Sequence, residues 1–315
     1  MPSSSKSALL GTVTGTLFWG LSGTASQALF EIYHFPALGL ALIRMSVSGL
    51  ILLIVLRPKL PESRSVFLRL LAIAVFGFVG SQVFYLLAIQ YTNAPTATLL
   101  QFLFLPMVAA YEALTGSLHW TKRWSLILAF AAVGTLLLIG VFSGSGFQIL
   151  ITPIGLVSGL LAAASGAYYS LASRKFVKEK GPWWLLTWGF VTGAFVISPL
   201  GVLSLSQYKL PVIVDSQISI LALVSFVTIF GTILAYGLYL SGLRHLPATE
   251  IGVVTSLEPI AASIAAYVFL GNVLGPLQYL GGGIILLAVI LTASKPTGDV
   301  GTTARKESGE EKTTN

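Results

Sequence analysis

Two similar segments, 153 residues apart, organise this sequence. Leu87–Pro106 reads LAIQYTNAPTATLLQFLFLP, and Leu240–Pro259 reads LSGLRHLPATEIGVVTSLEP. Each leaves one apolar run, passes a turn and a small residue, and enters a second apolar run that carries a proline. Self-similarity at a fixed offset indicates two copies of one structural unit.

The composition around these segments is that of a membrane protein. The chain has 315 residues, of which 55% are hydrophobic and 9% charged, and its mean hydropathy is +0.87. Soluble domains carry about 25% charged residues, so this chain lacks the side chains to cover a water-facing surface. Most soluble enzymes and nucleic-acid-binding proteins are excluded. Cysteine is absent and the histidines are only His34, His119 and His245, so we predict no metal site and no cofactor.

Long uncharged runs predict an all-α integral membrane protein with ten transmembrane helices. A helix needs about 20 apolar residues to cross a hydrocarbon core of roughly 30 Å. The runs also lack the alternation that is typical of a membrane β-barrel. The predicted spans are 8–30, 36–56, 69–89, 95–114, 123–142, 153–174, 182–205, 217–240, 248–270 and 276–294.

The distribution of Lys and Arg predicts that both termini are cytoplasmic. With this orientation, Arg44 lies within the membrane, Lys209 is the one external basic residue, and every other Lys and Arg is cytoplasmic. Positive charge concentrates in cytoplasmic loops, so this asymmetry supports both the span count and the orientation. We therefore predict a multi-pass protein of the cell membrane, such as a bacterial inner or plasma membrane. The cytoplasmic set is Lys6, Arg57, Lys59, Arg64, Arg69, Lys122, Arg123, Arg174, Lys175, Lys178, Lys180, Arg244, Lys295, Arg305, Lys306 and Lys312.

The two copies of the repeat are predicted to lie in opposite senses across the bilayer. The first unit, 8–142, and the second, 153–294, each contain five spans, and an odd number of crossings inverts the second copy. Inverted repeats are typical of secondary transporters, whose substrate site lies near the midplane. A duplication kept only for packing is the alternative. Residues 295–315 are predicted to be a disordered cytoplasmic tail.

With these motifs, the chain resembles the EamA-domain branch of the drug/metabolite transporter superfamily. The resemblance implies a ten-helix inverted-repeat fold that moves small metabolites, commonly amino acids and related compounds, and often outward. Many family members have an acid after the ninth span and after the fourth, where this chain has Gly271-Asn272 and Gly116-Ser117. The resemblance is carried by Gly15–Gly20, Ala88–Pro106, Ser241–Pro259, Ala261–Gly271 and Gln278–Gly283.

Arg44 and Glu258 are the two formal charges deep within predicted spans. Such a charge costs about 2.5–3.5 kcal/mol on insertion scales and therefore normally faces a cavity or a partner. Arg44 could bind a substrate carboxylate, or it could tie to Glu258 or to free carbonyls at a helix break. Glu258 could carry a proton, bind a substrate ammonium, or support the kink at Pro259.

Pro106 and Pro259 occupy corresponding positions in the repeat and predict two helix hinges. Each proline removes a backbone donor and frees a carbonyl one turn earlier. Simple shape-fitting is the alternative, because proline is common in membrane helices.

Aromatic and polar residues inside the spans predict a small-molecule cavity, which needs apolar walls and a few convergent polar groups. Trp183, Trp184 and Tyr208 instead flank the span ends and are interpreted as interfacial anchors. The predicted substrate-binding residues are Trp19, Arg44, Gln82, Gln101, Tyr168, Trp188, Tyr236, Thr255 and Glu258.

The favoured function is secondary transport of amino acids or related metabolites, with export and alternating access as the expected mode. The partners are then a small-molecule substrate, the lipid bilayer and, if transport is coupled, a proton; nucleic acid is excluded. Efflux of lipophilic cations is the main alternative, and an integral-membrane enzyme is a remote one, because no reactive cluster is present. The chain has no phosphate-binding loop for ATP hydrolysis.

Overall fold

The computed structural model describes residues 3–115, 121–138, 151–243, 246, 251 and 254–293. Within these residues every regular element is helical. Two helices, in 64–91 and in 214–243, contain an internal π-helical turn, Ile73–Val79 and Ile229–Leu234. The α-helices are α1 Ser3–Glu31, α2 Ala37–Leu56, α3 Arg64–Ala72, α4 Gly80–Tyr91, α5 Ala94–Phe102, α6 Phe104–Leu114, α7 Lys122–Leu138, α8 Pro153–Lys180, α9 Pro182–Ser206, α10 Val214–Thr228, α11 Ala235–Leu243, α12 Leu257–Leu270 and α13 Pro276–Ala293.

The protein spans a membrane several times. Among the described residues, Leu257–Leu270 and Pro276–Thr292 form shorter apolar helices. The all-helical membrane prediction is confirmed, whereas the number ten stays a prediction. The predicted end of the fifth span, the first residues of the ninth span, and the tail 295–315 lie outside the described residues. In the described part of the chain, six continuous helices are long and apolar enough to cross, namely 37–56, 64–91, 94–114, 153–180, 182–206 and 214–242.

Side-chain caps fix where several helices begin. Asn93 accepts a hydrogen bond from the Thr96 amide over 2.8 Å, and Pro95 occupies the first turn of α5. Thr152 caps α8 in the same way, through the Gly155 amide at 3.1 Å, with a proline next to it. Both sequences follow the preference for Asn or Thr before a helix and proline at its start.

The helices pack as matched pairs drawn from the two halves of the chain. Helix α1 lies against α11 and α12 of the second half, and α8 lies against α4, α5 and α6 of the first half. Two further pairs also join the halves, α2 with α9 and α7 with α13. Each half therefore completes the packing of the other.

The helix irregularities also occur in matched places. The π-helical turns Ile73–Val79 and Ile229–Leu234 each lie one helix before the proline-containing segment of their half. Leu103 separates α5 from α6 with φ −59° and ψ −12°, and Ser256 precedes α12 with φ −63° and ψ −11°. Leu103 and Ser256 are 153 residues apart, the same offset as the repeated segments. π-Helical turns are often found at functional sites.

Candidate functional site

Arg44 is bound along one edge by the π-helical turn of the neighbouring helix. Its side chain extends from α2, is only 6% exposed, and donates from Nε to Thr232 Oγ1 over 2.5 Å. Its Nη2 donates to the Gly231 carbonyl over 3.3 Å. Thr232 Oγ1 in turn donates to the carbonyl of Val227 over 2.9 Å. The tie to backbone at a helix irregularity, one of the interpretations of Arg44 from the sequence, is thus present.

This anchoring leaves part of the guanidinium available. A guanidinium has five N–H donors, and the contacts of Arg44 with the described residues use two of them. The remaining donors belong to Nη1 and Nη2. Arg44 therefore has a fixed orientation and an open edge, the arrangement that suits recognition of a carboxylate.

Glu258 provides an opposite charge near the Arg44 guanidinium. It occupies the first turn of α12, directly before Pro259, and is partly buried. The Arg44 guanidinium lies within its electrostatic reach, but the two side chains form no ion pair within 4.0 Å. No donor among the described residues forms a hydrogen bond with the Glu258 carboxylate. The site therefore contains two charges of opposite sign that do not neutralise each other by direct contact.

Tyrosines 85 and 236 link the two charges. The phenols of both residues lie within electrostatic reach of both Arg44 and Glu258. The Tyr85 hydroxyl hydrogen-bonds with Thr98 Oγ1 over 2.9 Å. The Tyr236 hydroxyl accepts from Gln82 Nε2 over 3.1 Å. These hydrogen bonds hold the two phenols in place near the charged groups.

Aromatic rings form a wall beside this polar group. Trp19 of α1 contacts Tyr236 with ring centroids 5.1 Å apart and Tyr239 at 5.2 Å. Phe190 of α9, which is fully buried, meets Tyr236 edge-on at 6.1 Å. Such edge-to-face contacts fix ring orientation. We refer to Trp19, Arg44, Gln82, Tyr85, Tyr236 and Glu258 as the central cluster.

Four other residues that were predicted to bind substrate lie outside the central cluster as defined above. Tyr168 is 40% exposed, and its ring contacts that of Phe76. Trp188 donates from its indole to the Lys59 carbonyl over 3.1 Å, near the end of α2. Gln101 lies in the last turn of α5, and Thr255 directly precedes the turn at Ser256.

The two prolines occupy equivalent positions in the two halves. Pro106 and Pro259 are both buried in the first turn of a helix, three residues after the turns at Leu103 and Ser256.

Trp184 is not an interfacial anchor, because it is 8% exposed and its indole donates to the Lys59 carbonyl over 2.8 Å. Tyr208 remains partly buried and donates to the Tyr33 carbonyl over 3.0 Å.

Sequence reasoning missed Tyr85 and Thr232, although a signal for both was present. Tyr85 follows Gln82 by three residues, and Thr232 precedes Tyr236 by four. These spacings place each missed residue on the same helix face as a predicted one.

Comparison with known proteins identifies the family of this fold. The model of the EamA-like transporter family matches residues 6–140 and again 153–294. The chain belongs to the EamA-like transporter family. Its relatives are transporters, and transport of small molecules across a membrane is accordingly the function of this EamA-like transporter. The predicted membership of the drug/metabolite transporter superfamily is confirmed.

Individual relatives agree with this assignment. The uncharacterized inner membrane transporter YicL of Salmonella typhimurium is 25% identical over 297 residues, which cover 91% of this chain and 95% of YicL. The threonine/homoserine exporter RhtA of Escherichia coli is 31% identical over 134 residues, covering 42% of this chain and 43% of RhtA. A solved crystal structure shares the fold with a TM-score of 0.59 at 15% identity, covering 91% of this chain and 96% of that chain.

Proposed function

We propose that this EamA-like transporter exports a small zwitterion, an amino acid or a related compound, through the central cluster. The supporting observation is the arrangement of Arg44 and Glu258. Arg44 has an open guanidinium edge, Glu258 has an open carboxylate, and the same two tyrosines lie beside both.

A zwitterion matches this arrangement better than a singly charged molecule does. Its carboxylate can accept from the free N–H groups of Arg44, and its ammonium can donate to Glu258. Charges are costly at membrane depth unless they are paired. An amino acid that bridges the two residues lowers this cost for both protein charges and for both of its own.

The relatives support the substrate class and the direction. RhtA is named as an exporter of threonine and homoserine, two amino acids, and it matches part of this chain. The aromatic wall of Trp19 and Tyr236 would lie beside the substrate's side chain. Amino-acid export is therefore the substrate and direction that we propose for this protein.

Alternating access of two inverted repeats is the mechanism that we propose. The repeats are 8–142 and 153–294, each with five spans, giving ten in total and placing both termini in the cytoplasm. The turns at Leu103 and Ser256, each followed by a proline, serve as hinges. Matched irregularities in both halves support this proposal, because an inverted repeat can then exchange conformations with its partner.

Efflux of lipophilic cations is the second candidate function. It is favoured by the open carboxylate of Glu258 next to the aromatic rings of Trp19 and Tyr236. A cation over an aromatic face gains up to about 2 kcal/mol when desolvated. In this case Arg44 would only tie α2 to the π-helical turn.

Counterflow in proteoliposomes distinguishes the two functions. Vesicles are loaded with an amino acid, with its decarboxylated amine, or with a quaternary ammonium compound, and uptake of labelled compound is followed. Exchange of zwitterions that is lost in both Arg44→Gln and Glu258→Gln supports the proposal. Exchange of quaternary ammonium compounds that survives Arg44→Gln and fails in Glu258→Gln favours cation efflux instead.

A surface variant serves as the control for both losses. Glu62→Gln neutralises a carboxylate outside the predicted spans, and counterflow should persist in this variant.

If transport is driven by a proton gradient, Glu258 is the proton carrier that we propose. Glu258→Gln would then also lose the response to an imposed pH gradient, which the same vesicles measure.

A further inference from the structure

We propose that a groove between α6, α7 and α8 holds one acyl chain of an anionic phospholipid. The groove has a volume of about 410 Å³, within the range of small-molecule sites in proteins. We call it the lipid groove. It is lined by Leu103, Pro106, Met107, Ala110, Leu128, Ala131, Ala132, Thr135, Leu136 and Leu160.

The walls of the lipid groove suit hydrocarbon and not water. Its lining side chains are apolar except for Thr135, whose hydroxyl already donates to the Ala131 carbonyl over 2.7 Å. A water molecule needs two to four polar partners in a buried site. Ala110 of α6 and Ala132 of α7 both line the groove and leave room because their side chains are small. The occupant is therefore an apolar chain.

The distance from the start of α7 to the far end of the groove matches one leaflet of a bilayer. Leu128 and Leu136, at its two ends on α7, lie six and fourteen residues after Lys122. At 1.5 Å per residue they are about 9 Å and about 21 Å from that lysine along the helix. A bilayer with its headgroups is about 40–45 Å thick, so one leaflet measures roughly 20–22 Å. A lipid whose tail reaches Leu136 therefore has its phosphate near Lys122.

Two basic residues begin α7 at the level of this phosphate. Lys122 is exposed, and none of the described residues forms an ion pair with it. Arg123 follows it, 5.8 Å from the Trp124 ring centroid, and donates from Nη2 to the Leu291 carbonyl over 2.5 Å. Each basic residue near a membrane surface contributes about 1 kcal/mol of attraction to anionic lipid. The groove therefore selects an anionic headgroup, in the cytoplasmic leaflet according to the proposed orientation.

The lipid would also support the helix break in the first half. Leu103 and Pro106, which line the groove, form the turn between α5 and α6 and the first turn of α6. A chain in the groove packs against this segment from outside. The site is separate from the central cluster, and its occupancy can be measured without any transport assay.

Native mass spectrometry of the purified protein tests the proposal. The probes are phosphatidylglycerol and phosphatidylcholine with identical acyl chains, added in a detergent that preserves the folded monodisperse protein. We expect one retained phosphatidylglycerol and little phosphatidylcholine. Lys122→Gln should weaken phosphatidylglycerol binding about fivefold, which corresponds to about 1 kcal/mol. Ala132→Trp, which fills the groove, should abolish it.

Two control variants test whether the loss of lipid is specific to the groove and to Lys122. Val133→Trp adds the same side chain one residue away, at an exposed position that does not line the groove, and Lys178→Gln removes an exposed lysine at the end of α8. Both should retain the lipid. Ala110→Leu narrows the groove from α6 and replaces Ala132→Trp if that variant is not monodisperse. Equal retention in the groove and control variants, or equal retention of the two lipids, would overturn the proposal.

Discussion

The hydroxyl of Thr232 is the most informative single group to remove, because it holds the Arg44 guanidinium at its anchored edge. Thr232→Val keeps the shape of the side chain and deletes the acceptor of the 2.5 Å hydrogen bond from Arg44 Nε. Only the longer contact from Nη2 to the Gly231 carbonyl, at 3.3 Å, then orients the guanidinium. The open edge of Arg44 should lose its fixed direction.

The size of the effect follows from the strength of that bond. A hydrogen bond to a charged group contributes about 1.5–3 kcal/mol, or roughly 10- to 150-fold in an equilibrium constant. We expect the KM of a zwitterionic amino acid in counterflow to rise within this range in Thr232→Val. The KM of its decarboxylated amine, which depends on Glu258, should change by less than about threefold. Thr232→Ser keeps the hydroxyl and should stay close to the wild type.

Two outcomes would refute this reasoning. An equal rise in KM for the amino acid and the amine would mean that Thr232 supports the helix and not the direction of Arg44. A Thr232→Ser variant as impaired as Thr232→Val would mean that the methyl packing, and not the hydroxyl, matters. A thermal unfolding measurement on both variants separates loss of fold from loss of binding.

Three further predictions concern other parts of the molecule. Glu258→Asp should retain some exchange of amine-bearing substrates whereas Glu258→Gln loses it by roughly tenfold or more, as counterflow rates will show. Gly231→Ala should destabilise the protein by about 1–3 kcal/mol in a denaturant titration, because the added methyl group overlaps a side chain of α1; Gly11→Ala, which makes only ordinary contact, should not. The hydrogen bond and positive charge of Lys180 lower the pKa of the Glu62 carboxyl, so their ion pair is present at and above the ordinary pKa of glutamate and is lost as the pH falls through the lowered value. In Lys180→Met the pKa of Glu62 should return towards its usual value in an NMR titration of the labelled carboxyl carbon.

The features that the sequence predicted well are those that depend on position along the chain. Uncharged runs located the helices, and the 153-residue offset related Pro106 to Pro259, which follow the turns at Leu103 and Ser256 by three residues. The two deep charges, Arg44 and Glu258, were recognisable because their cost in lipid is large compared with other effects. The structure brings both into one cluster, although their role in substrate binding remains a proposal.

The direction in which a side chain points was harder to predict. In a soluble helix the polar face marks the outside, but a membrane helix is apolar towards both lipid and core. Tyr168 and Tyr236 therefore look equivalent in the sequence, whereas Tyr168 is 40% exposed and Tyr236 lies in the central cluster. The backbone carbonyl that binds Arg44 could not be predicted from the sequence, for another reason. This carbonyl belongs to a π-helical turn, and such a change in helix register has no characteristic residue type.

The packing of α1 has a consequence for how the protein is made. The ribosome delivers α1 well before α11 and α12, the helices that pack against it. During translation the small residues of α1, such as Gly15 and Gly20, have no helix to pack against and face lipid or an insertion factor. Folding of the first half is thus completed only after the second half has entered the bilayer. A chain that stops before α11 would leave α1 unpaired and should be a substrate for membrane quality-control proteases.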